Sequence, residues 1–357
     1  MIDSSAILEI NTKNILHNYK VLSRIASNSI SGATIKANAY GLGDLKIFCI
    51  LYNIGCKHFF VATIEEALNL RKKYKKSNVY ILNGVDESQI KLTQQKNIIP
   101  IINSLDQLKI LNRKFKNSKH KIKIGIHIDS GINRLGIRTN SIKNNNIDNL
   151  DIYLLLSHLA SSDEKNNKYN NFQNKNFFNT FKYFKSAKYK SLVNSMGVIL
   201  GEKFHYDIIR PGISLYGGHY YTKLKKIIKP VIKLKARVLQ IKNLEKNEYI
   251  GYNQTYKTVK STTIAILGIG YADGISRKLS NKGTVYYKKK KFNIIGRVSM
   301  DTITINITKY KKIIKKGIYM ELINREYDIE KMAKECGTIS NEILTSISNR
   351  VKRNYIE

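Results

Sequence analysis

A lysine at the end of a short apolar run is the residue that most directly suggests chemistry. Lys36 lies in the run 33–37 and is followed closely by Gly41 and Gly43. Burial of a charged amine is unfavourable unless the charge is paired, the amine is neutral, or the strand ends at a cavity that is open to solvent. Desolvation lowers the pKa of a lysine, and the neutral amine can form a Schiff base with an aldehyde. Lys36 is therefore a candidate for holding an aldehyde cofactor, although an isolated lysine in such a place is usually an ordinary surface residue.

The elements around Lys36 alternate in type. Between about residues 15 and 215, short apolar runs typical of buried strands alternate with longer amphipathic stretches. The apolar runs are residues 33–37, 58–62, 79–82, 98–102, 122–128, 152–157, 191–193 and 207–209. Two amphipathic stretches, 64–74 and 104–115, predict helices, the second with Ser104 as N-cap. Eight such units predict an α/β fold, a (β/α)8 TIM barrel with active-site residues after the strands, and an open doubly wound sheet is the alternative.

The pattern changes after Pro230. Runs rich in Val, Ile, Thr and Tyr with period-two alternation predict a C-terminal mainly-β domain, interrupted by a helix at 327–336. The segment 222–230 predicts a linker. We therefore expect two domains, a barrel over residues 1–228 and a mainly-β domain over residues 229–357.

The charge of the chain suggests a different class of function. Lys and Arg number 62 against 26 Asp and Glu, a net charge of +36, which favours nucleic acid or an anionic membrane as a partner. However, only 12 of these residues are Arg, the type suited to bidentate phosphate and guanine recognition, and the lysines are scattered along the whole chain. The charge is therefore better explained as a property of a solvated surface, and a non-catalytic nucleic-acid-binding protein remains the alternative from another class.

The cysteines and the N-terminal segment bear on the compartment. Cys49, Cys56 and Cys336 have neither the spacing of a metal site nor that of a disulfide framework. The N-terminus lacks the basic and apolar regions of a signal peptide, and no run approaches the ~18 apolar residues of a membrane span. We expect a soluble, cytoplasmic protein that binds no metal and no membrane.

The segment around Lys36 also resembles a known signature. IKANAYGLG (residues 35–43) is similar to the pyridoxal-phosphate-binding signature of the alanine racemase family, with Leu42 where the family usually has His. Further segments of the family follow in the same order: SGINRLGI (130–137), SHLASSDE (157–164), NS (194–195), IRPGISLYG (209–217), GIGYADG (268–274) and GRVSMD (296–301). The resemblance covers nearly the whole chain. It implies a barrel followed by a β domain, pyridoxal 5'-phosphate as cofactor, and interconversion of L- and D-alanine, with D-alanine supplied to peptidoglycan.

The resemblance assigns two bases. Lys36 would hold the cofactor as a Schiff base and, once released from it, act on one face of the substrate Cα. Tyr271 would act on the opposite face, and a proton removed from one face and returned to the other inverts the stereocentre. In the family this tyrosine comes from the partner subunit, which implies a head-to-tail homodimer. Without the resemblance, Tyr271 would be one of 23 tyrosines, here in a glycine-rich turn.

The resemblance also places the groups that would bind the cofactor. Arg210 would donate a hydrogen bond to the pyridine nitrogen without transferring its proton. The ring would then stay neutral and a weak electron sink, which favours simple reprotonation of the substrate. His158 would lie near the ring. The phosphate would bind after strands seven and eight, where barrels commonly bind phosphates, to Tyr40, Ser195, Gly212 and Ile213, with Asn194 as a neighbour.

The substrate carboxylate would be bound from two sides. Arg134 would contact it together with the phenolic oxygen of the cofactor. The backbone N–H of Met300 and the carboxylate of Asp301 would complete the site from the partner subunit, although this pair fits a structural role equally well.

Three further positions depart from the family pattern. His127 stands where many members carry a lysine that becomes carbamylated and braces the arginine equivalent to Arg134. Ser191 replaces a histidine that often supports the ring-nitrogen arginine, and Asn349 replaces a phosphate-binding tyrosine. These changes bear on efficiency and cofactor affinity more than on reaction class. The alternatives within this fold are a racemase of broader specificity or of serine, and the related barrel decarboxylases, which share the lysine but lack the GYADG and RVSMD segments.

Overall fold

Strands and helices alternate up to about residue 230 and strands dominate beyond it in the computed structural model, which describes residues 4–116, 118, 121–142 and 150–357. The strands are β1 (Ala6–Asn11), β2 (Ile30–Ser31), β3 (Ala33–Thr34), β4 (His58–Val61), β5 (Asn78–Ile81), β6 (Ile98–Ile102), β7 (Ile122–Asp129), β8 (Ile137–Arg138), β9 (Leu150–Leu156), β10 (Tyr189–Ser191), β11 (Ile208–Ile209), β12 (Ile232–Leu244), β13 (Tyr249–Ile250), β14 (Tyr256–Lys257), β15 (Thr262–Leu267), β16 (Thr284–Tyr287), β17 (Lys290–Asn293), β18 (Ile303–Asn306), β19 (Tyr319–Ile323) and β20 (Lys352–Ile356). The helical segments are α1 (Thr12–Ile25), α2 (Lys36–Tyr40, a left-handed turn), α3 (Asp44–Asn53), α4 (Ile64–Arg71), α5 (Ile90–Gln95), α6 (Leu105–Phe115), α7 (Lys168–Phe178), α8 (Thr222–Ile227), α9 (Ile329–Cys336) and α10 (Ser340–Ser346).

The strands of the first part close into a parallel barrel. Seven of them pair in the order β3, β4, β5, β6, β7, β9, β10, and β11 pairs with β2. Two backbone hydrogen bonds join the ends of this arrangement: Asp207 N–H donates to Lys190 O (3.0 Å) and Gly32 N–H donates to Ile209 O (2.9 Å). Because the last strand bonds to both the seventh and the first, the sheet is closed. The predicted barrel is confirmed, and the open sheet is excluded.

Four helices of the first part, α1, α4, α6 and α7, begin at side-chain caps, as the sequence predicts for α6. The Ser104 hydroxyl accepts from the Gln107 N–H (3.2 Å), and the apolar face of α6 buries Leu108 and Leu111. The helix predicted at 64–74 is shorter and ends at Arg71, because the buried Arg71 guanidinium donates to backbone carbonyls of the loops that follow α4 and α5. Arg71 thus fixes two barrel loops at once.

The second sheet includes the N-terminal strand. Its main path runs β17, β16, β19, β12, β1, β20, with β15 and β18 attached through β12. β1 pairs antiparallel with β12 and parallel with β20. The mainly-β C-terminal region is therefore as predicted, but the first strand of the chain lies in its sheet and not in the barrel.

The junction between the two parts is helical. The segment 222–230, predicted as a linker, connects the two parts as a short helix, α8, with Leu224 fully buried and Ile228 nearly so. The side chain of Asn18 in α1 holds the end of the junction through both backbone groups of Lys229 (2.9 and 2.7 Å). Within the described ranges, no helix is long and apolar enough to cross a lipid bilayer.

Candidate active site

A cavity of ≈ 560 Å³ opens at the carboxyl ends of the barrel strands, where the loops that follow them meet. Its volume suits a small cofactor together with a small substrate. The structure brings together here the predicted cofactor-binding residues Lys36, Tyr40, Arg134, His158, Asn194, Ser195, Arg210, Gly212 and Ile213. The lining residues of the barrel lie at or after six of its strands, β3, β5, β7, β9, β10 and β11, and face one space, as the barrel geometry requires.

Lys36 lies partly buried in this cavity. Burial is the main cause that lowers the pKa of its amine, and the nearby Arg134 guanidinium lowers it further, while the Glu66 carboxylate acts in the opposite direction. A lowered pKa increases the fraction of neutral amine, which is the form that reacts with an aldehyde. The environment of Lys36 therefore suits covalent chemistry.

The chain after Lys36 adopts an unusual conformation. Ala37, Asn38, Ala39 and Tyr40 all have φ between +52° and +56°, which makes α2 a turn of left-handed helix. For residues other than glycine this conformation costs about 1–2 kcal/mol each. Such strain persists only where the surrounding contacts hold it, and it is commonest at functional sites.

The far end of this turn is held by the C-terminal strand. The Arg353 guanidinium in β20 donates to Gly41 O from two nitrogens (3.1 and 3.0 Å), and the Tyr355 hydroxyl donates to Leu42 O (2.7 Å). A Cβ at Gly43 would lie 2.0 Å from the Tyr355 hydroxyl oxygen, so the contact also requires glycine there. The second domain therefore fixes the loop that carries Lys36.

One end of the cavity is rich in hydrogen-bond donors. The Ser195 hydroxyl accepts from the backbone N–H groups of Gly212 (2.8 Å) and Ser214 (3.1 Å). A Cβ at Gly212 would lie 2.4 Å from the Tyr40 hydroxyl oxygen, which places that phenol against the same loop. Burial raises the pKa of Tyr40, so its hydroxyl keeps its proton as a donor. The Ser195 hydroxyl, which accepts both bonds, keeps its own proton to donate, and with the Tyr40 hydroxyl it forms a donor cradle beside Gly212 that is suited to a phosphate group.

Arg210 is a buried cation held only by neutral oxygens. Its guanidinium donates to the Ser191 hydroxyl, to Ser157 O (2.7 Å) and to Leu192 O (3.3 Å), with no carboxylate partner in the described part of the chain. Burial lowers the pKa of Arg210 to about 9, so it remains charged at neutral pH. Ser191 thus supports the Arg210 guanidinium through its hydroxyl. The guanidinium keeps N–H groups on Nε and Nη1 for an acceptor in the cavity.

His127 presents an unpaired nitrogen in the same region. Its Nδ1 lies 2.9 Å from Asn103 Oδ1, and because the Asn103 amide nitrogen donates to Leu82 O, Nδ1 carries the ring proton. The buried Nε2 is then an acceptor, and it has no partner among the residues that the structure describes. Burial, with Arg210 and Arg134 nearby, lowers the pKa of His127 to about 4. A neutral acceptor therefore stands at position 127.

The His127 pKa predicts a specific acid sensitivity. Because the pKa falls from its usual 6.5 to about 4 in the folded protein, the unfolded chain binds a proton between these values that the folded chain excludes. Lowering the pH from 7 to 5 should therefore destabilise the fold by about 2 kcal/mol through this residue. His127→Gln has no titrating group at this position. Urea unfolding of the cofactor-free proteins at the two pH values should therefore show that the variant loses about 2 kcal/mol less free energy of unfolding than the wild type. Equal losses in both proteins would contradict the assignment.

Two other predicted residues shape the cavity wall. Asn194 Oδ1 accepts from the Ser162 hydroxyl (3.0 Å) and from two backbone N–H groups of the loop after β10 (3.1 and 3.0 Å), so it organises that loop. Burial and the neighbouring arginines lower the pKa of His158 well below its usual value, which keeps its imidazole neutral. Arg134 is exposed at the mouth, where a substrate carboxylate can reach it.

Tyr271, Met300 and Asp301 lie elsewhere on the chain. They are not among the residues that line the cavity, and Tyr271 and Met300 are 43% and 52% exposed. The backbone N–H of Tyr271 donates to Ser299 O (3.0 Å), so the 271–273 turn packs directly on the segment before Asp301. We call the three residues the Tyr271 patch.

The Tyr271 patch is held together by Arg350 and by a glycine. The Arg350 guanidinium contacts Asp301 Oδ1 (2.7 Å) and Asp273 Oδ1 (3.2 Å). A Cβ at Gly270 would lie 2.3 Å from the carbonyl oxygens of Ser299 and Met300, so the turn can approach that segment only with glycine there. The patch is a preformed surface that presents a tyrosine to solvent in the single chain.

The cavity also contains residues that the sequence did not single out. Tyr220 and Asn341 narrow its mouth, and the Tyr220 hydroxyl donates to Asn341 Oδ1 (3.3 Å). Asn341 and Ile339 come from the segment around α10, far from the barrel in sequence, and no local pattern indicates this position. Asn349, which replaces the usual tyrosine, is exposed and does not line the described cavity.

Known proteins are similar to this chain over nearly its whole length. Two family models match it, "Alanine racemase, N-terminal domain" over residues 10–220 and "Alanine racemase, C-terminal domain" over residues 231–355. The alanine racemase of Rickettsia akari is 40% identical over 359 residues, which span 98% of this chain and 99% of that protein. The crystal structure of alanine racemase from Bartonella henselae with covalently bound pyridoxal phosphate is 36% identical, with a TM-score of 0.93 over 99% of this chain and 100% of that one. The biosynthetic alanine racemase from Pseudomonas aeruginosa is 25% identical, with a TM-score of 0.90 and the same coverage.

Proposed function

Because the chain belongs to the alanine racemase family, we propose that it interconverts L-alanine and D-alanine, with pyridoxal 5'-phosphate bound at Lys36. The observation that carries this proposal is the convergence of Lys36, Arg210 and the loop with Ser195 on one cavity. The chain is thus a pyridoxal-phosphate-dependent racemase, an isomerase. A nucleic-acid-binding role is not favoured, since it gives these buried cations no task.

The residues in the cavity fit this cofactor. Lys36 offers an amine of lowered pKa to the aldehyde, and the donor cradle at Ser195 and Gly212, with the Tyr40 hydroxyl, suits the phosphate. Arg210, charged and without a carboxylate partner among the described residues, has N–H groups to spare for the ring nitrogen. A second positive charge beside this arginine would be unfavourable, because its partners are neutral oxygens. This agrees with an uncharged pyridine nitrogen.

The chain's own groups supply the proton transfers. When bound, pyridoxal phosphate withdraws electron density from the amino-acid Cα and makes its hydrogen easier to remove as a proton. We assign Lys36 Nζ to one face of Cα, where its lowered pKa allows it to accept that proton. The Tyr271 hydroxyl is assigned to the other face. Arg134, at the mouth, and the Met300 N–H with the Asp301 carboxylate are assigned to the substrate carboxylate.

These assignments require two copies of the chain. Tyr271 and Met300 are exposed and lie outside the Lys36 cavity, although a racemase needs a second base at its substrate. A head-to-tail homodimer, in which each Tyr271 patch covers the cavity of the other copy, supplies that base and buries the patch. We further propose a division near residue 228, with a barrel domain over residues 1–228, of which only β1, among its described strands, joins the other sheet, and a mainly-β domain over residues 229–357 that contributes to the partner's site. A cytoplasmic location and supply of D-alanine to peptidoglycan complete this proposal.

A racemisation assay tests the activity directly. Purified protein with added pyridoxal phosphate should convert L-alanine to the racemic mixture, and D-alanine likewise. L-serine under the same conditions measures the breadth of specificity, because pocket size decides between these small side chains. Absence of conversion of both amino acids by protein that has bound the cofactor would refute the proposed activity.

Mixed dimers test the shared site. A dimer of one Lys36→Ala copy and one Tyr271→Phe copy has both lesions in one site and none in the other, if each site takes its lysine and tyrosine from different chains. Such dimers, isolated through two different affinity tags after co-expression, should recover about half of the wild-type activity per dimer. Isolation of each variant alone through the same two tags provides the baseline. If both residues act within one chain, the mixed dimers will show no gain over that baseline.

A further inference from the structure

The left-handed turn after Lys36 needs a support on its near side. Arg353 and Tyr355 hold its far end at residues 41 and 42, but the direction of the Lys36 side chain is set where the turn begins. Alanine at 37 and 39 has no intrinsic preference for positive φ, and only Asn38 is of a type that tolerates it. Contacts to the first residue of the turn must therefore determine its geometry.

Glu66 makes that contact. Its Oε1 accepts from the Ala37 N–H (2.6 Å) and its Oε2 accepts from the Ala62 N–H (2.7 Å). Glu66 is itself fixed in the first turn of α4, where its N–H lies 3.4 Å from the Thr63 hydroxyl, which caps the helix. The two oxygens of one carboxylate thus join the residue after Lys36 to the end of the neighbouring strand β4. A carboxylate is suited to this bridge because it has two acceptor oxygens and no donor.

The charge of Glu66 also faces Lys36. Arg134 and burial favour the neutral form of the Lys36 amine, and Glu66 favours the charged form. His158, whose ring is neutral, is the other titratable group that interacts with Lys36. Removal of the Glu66 charge should therefore lower the pH at which Lys36 becomes reactive.

We propose that Glu66 is a positioning residue for Lys36, which aims the lysine by clamping the backbone of Ala37 to that of Ala62. This role rests on the proposed function, in which Lys36 holds the cofactor. It adds to that function by assigning the positioning of Lys36 to a residue that does not line the cavity. Glu66 acts through the backbone and touches neither substrate nor cofactor.

The test compares Glu66→Gln, Glu66→Asp and Glu65→Gln. Glu65 precedes Glu66 in the same helix turn and is exposed, so it provides the matched loss of one charge. The readouts are the rate at which cofactor-free protein acquires the visible absorbance of bound pyridoxal phosphate, measured against pH, and kcat and KM for alanine in the loaded enzyme.

The proposal predicts a separate result for each variant. In Glu66→Gln the amide nitrogen must face one of the two N–H groups, so the variant should capture the cofactor at least about tenfold more slowly at its best pH. Its profile of capture rate against pH should shift to lower pH. Its kcat should fall more than its KM changes. Glu66→Asp keeps the charge but is too short for the bridge. It should therefore capture the cofactor slowly, with the same dependence of the capture rate on pH as the wild type. Glu65→Gln should match the wild type.

Other results would overturn the proposal. Folded Glu66→Gln with the wild-type capture rate and pH profile would show a role in stability alone, and equal slowing by Glu65→Gln would show a general charge effect. If wild-type protein bound no cofactor, or if Lys36→Ala still acquired the band, the proposed function would fail first, independently of Glu66.

Discussion

Lys36→Ala should lose both the visible absorbance of the bound cofactor and racemisation of alanine. The variant lacks the amine that reacts with the aldehyde and also one of the two assigned bases, so kcat/KM should fall by at least about 10⁴-fold. The fold should survive, because Lys36 is only partly buried and the Glu66 carboxylate that faces it keeps its two backbone N–H donors. Absorbance spectra of protein dialysed against pyridoxal phosphate, together with the racemisation assay, measure both effects.

The matched control for this experiment is Lys91→Ala. Lys91 is an exposed lysine of α5, so its replacement changes the net charge equally but touches no part of the cavity. It should keep the wild-type spectrum and rate. Retention of the covalent band by Lys36→Ala would place the cofactor on another lysine and would overturn the central assignment.

Tyr271→Phe should bind the cofactor normally but racemise alanine about 10²–10⁴-fold more slowly, because it removes one acid-base group from one face of Cα. The effect should be unequal for the two enantiomers. In D₂O, exchange of the α-hydrogen should persist for the enantiomer whose hydrogen faces Lys36 and should fall for the other one. Mass spectrometry of recovered L- and D-alanine measures the two exchange rates separately.

Tyr252→Phe is the control for the loss of a phenol in the second domain. Tyr252 is even more exposed than Tyr271 in the single chain. We expect this variant to exchange and racemise like the wild type. Equal slowing of both enantiomers by Tyr271→Phe, or no slowing of either one, would mean that Tyr271 is not the base of one face.

The barrel and the place of Lys36 could be predicted because their signals are local, whereas the other cavity residues were assigned by the family resemblance. Eight apolar runs, each long enough for one strand, indicate a barrel, and the barrel places the residue after each strand at one mouth. The chemistry of Lys36 follows from its place at such a strand end. Arg210 lies at the same edge by the same rule, and the capping of α6 by Ser104 is visible in the sequence because a cap depends on only four neighbouring residues.

The supports of the site could not be predicted, because they join residues that are far apart. The left-handed turn is invisible in a stretch of Ala, Asn, Ala and Tyr, since the contacts that hold it come from Glu66 and from β20. The segment 222–230 connects the two parts as predicted, but its helix could not be predicted, because the burial of Leu224 and Ile228 depends on contacts with the distant core. Tyr271 was singled out only by resemblance, because an exposed tyrosine in a glycine-rich turn carries no signal of its own.

The position of β1 has a consequence for the order in which the molecule is assembled. During synthesis β1 emerges before every strand of the barrel, but its two neighbours, β12 and β20, follow only after the barrel is complete, and Thr12 at its end is hydrogen-bonded to Ile356. Pairings so distant along the chain form slowly, because a large loop must be closed first. Since β20 also carries Arg353 and Tyr355, the Lys36 loop is locked only when this final pairing forms. A truncated barrel without β20 therefore holds Lys36 on a loop that lacks the contacts of Arg353 and Tyr355, and we expect it to capture the cofactor more slowly than the whole chain.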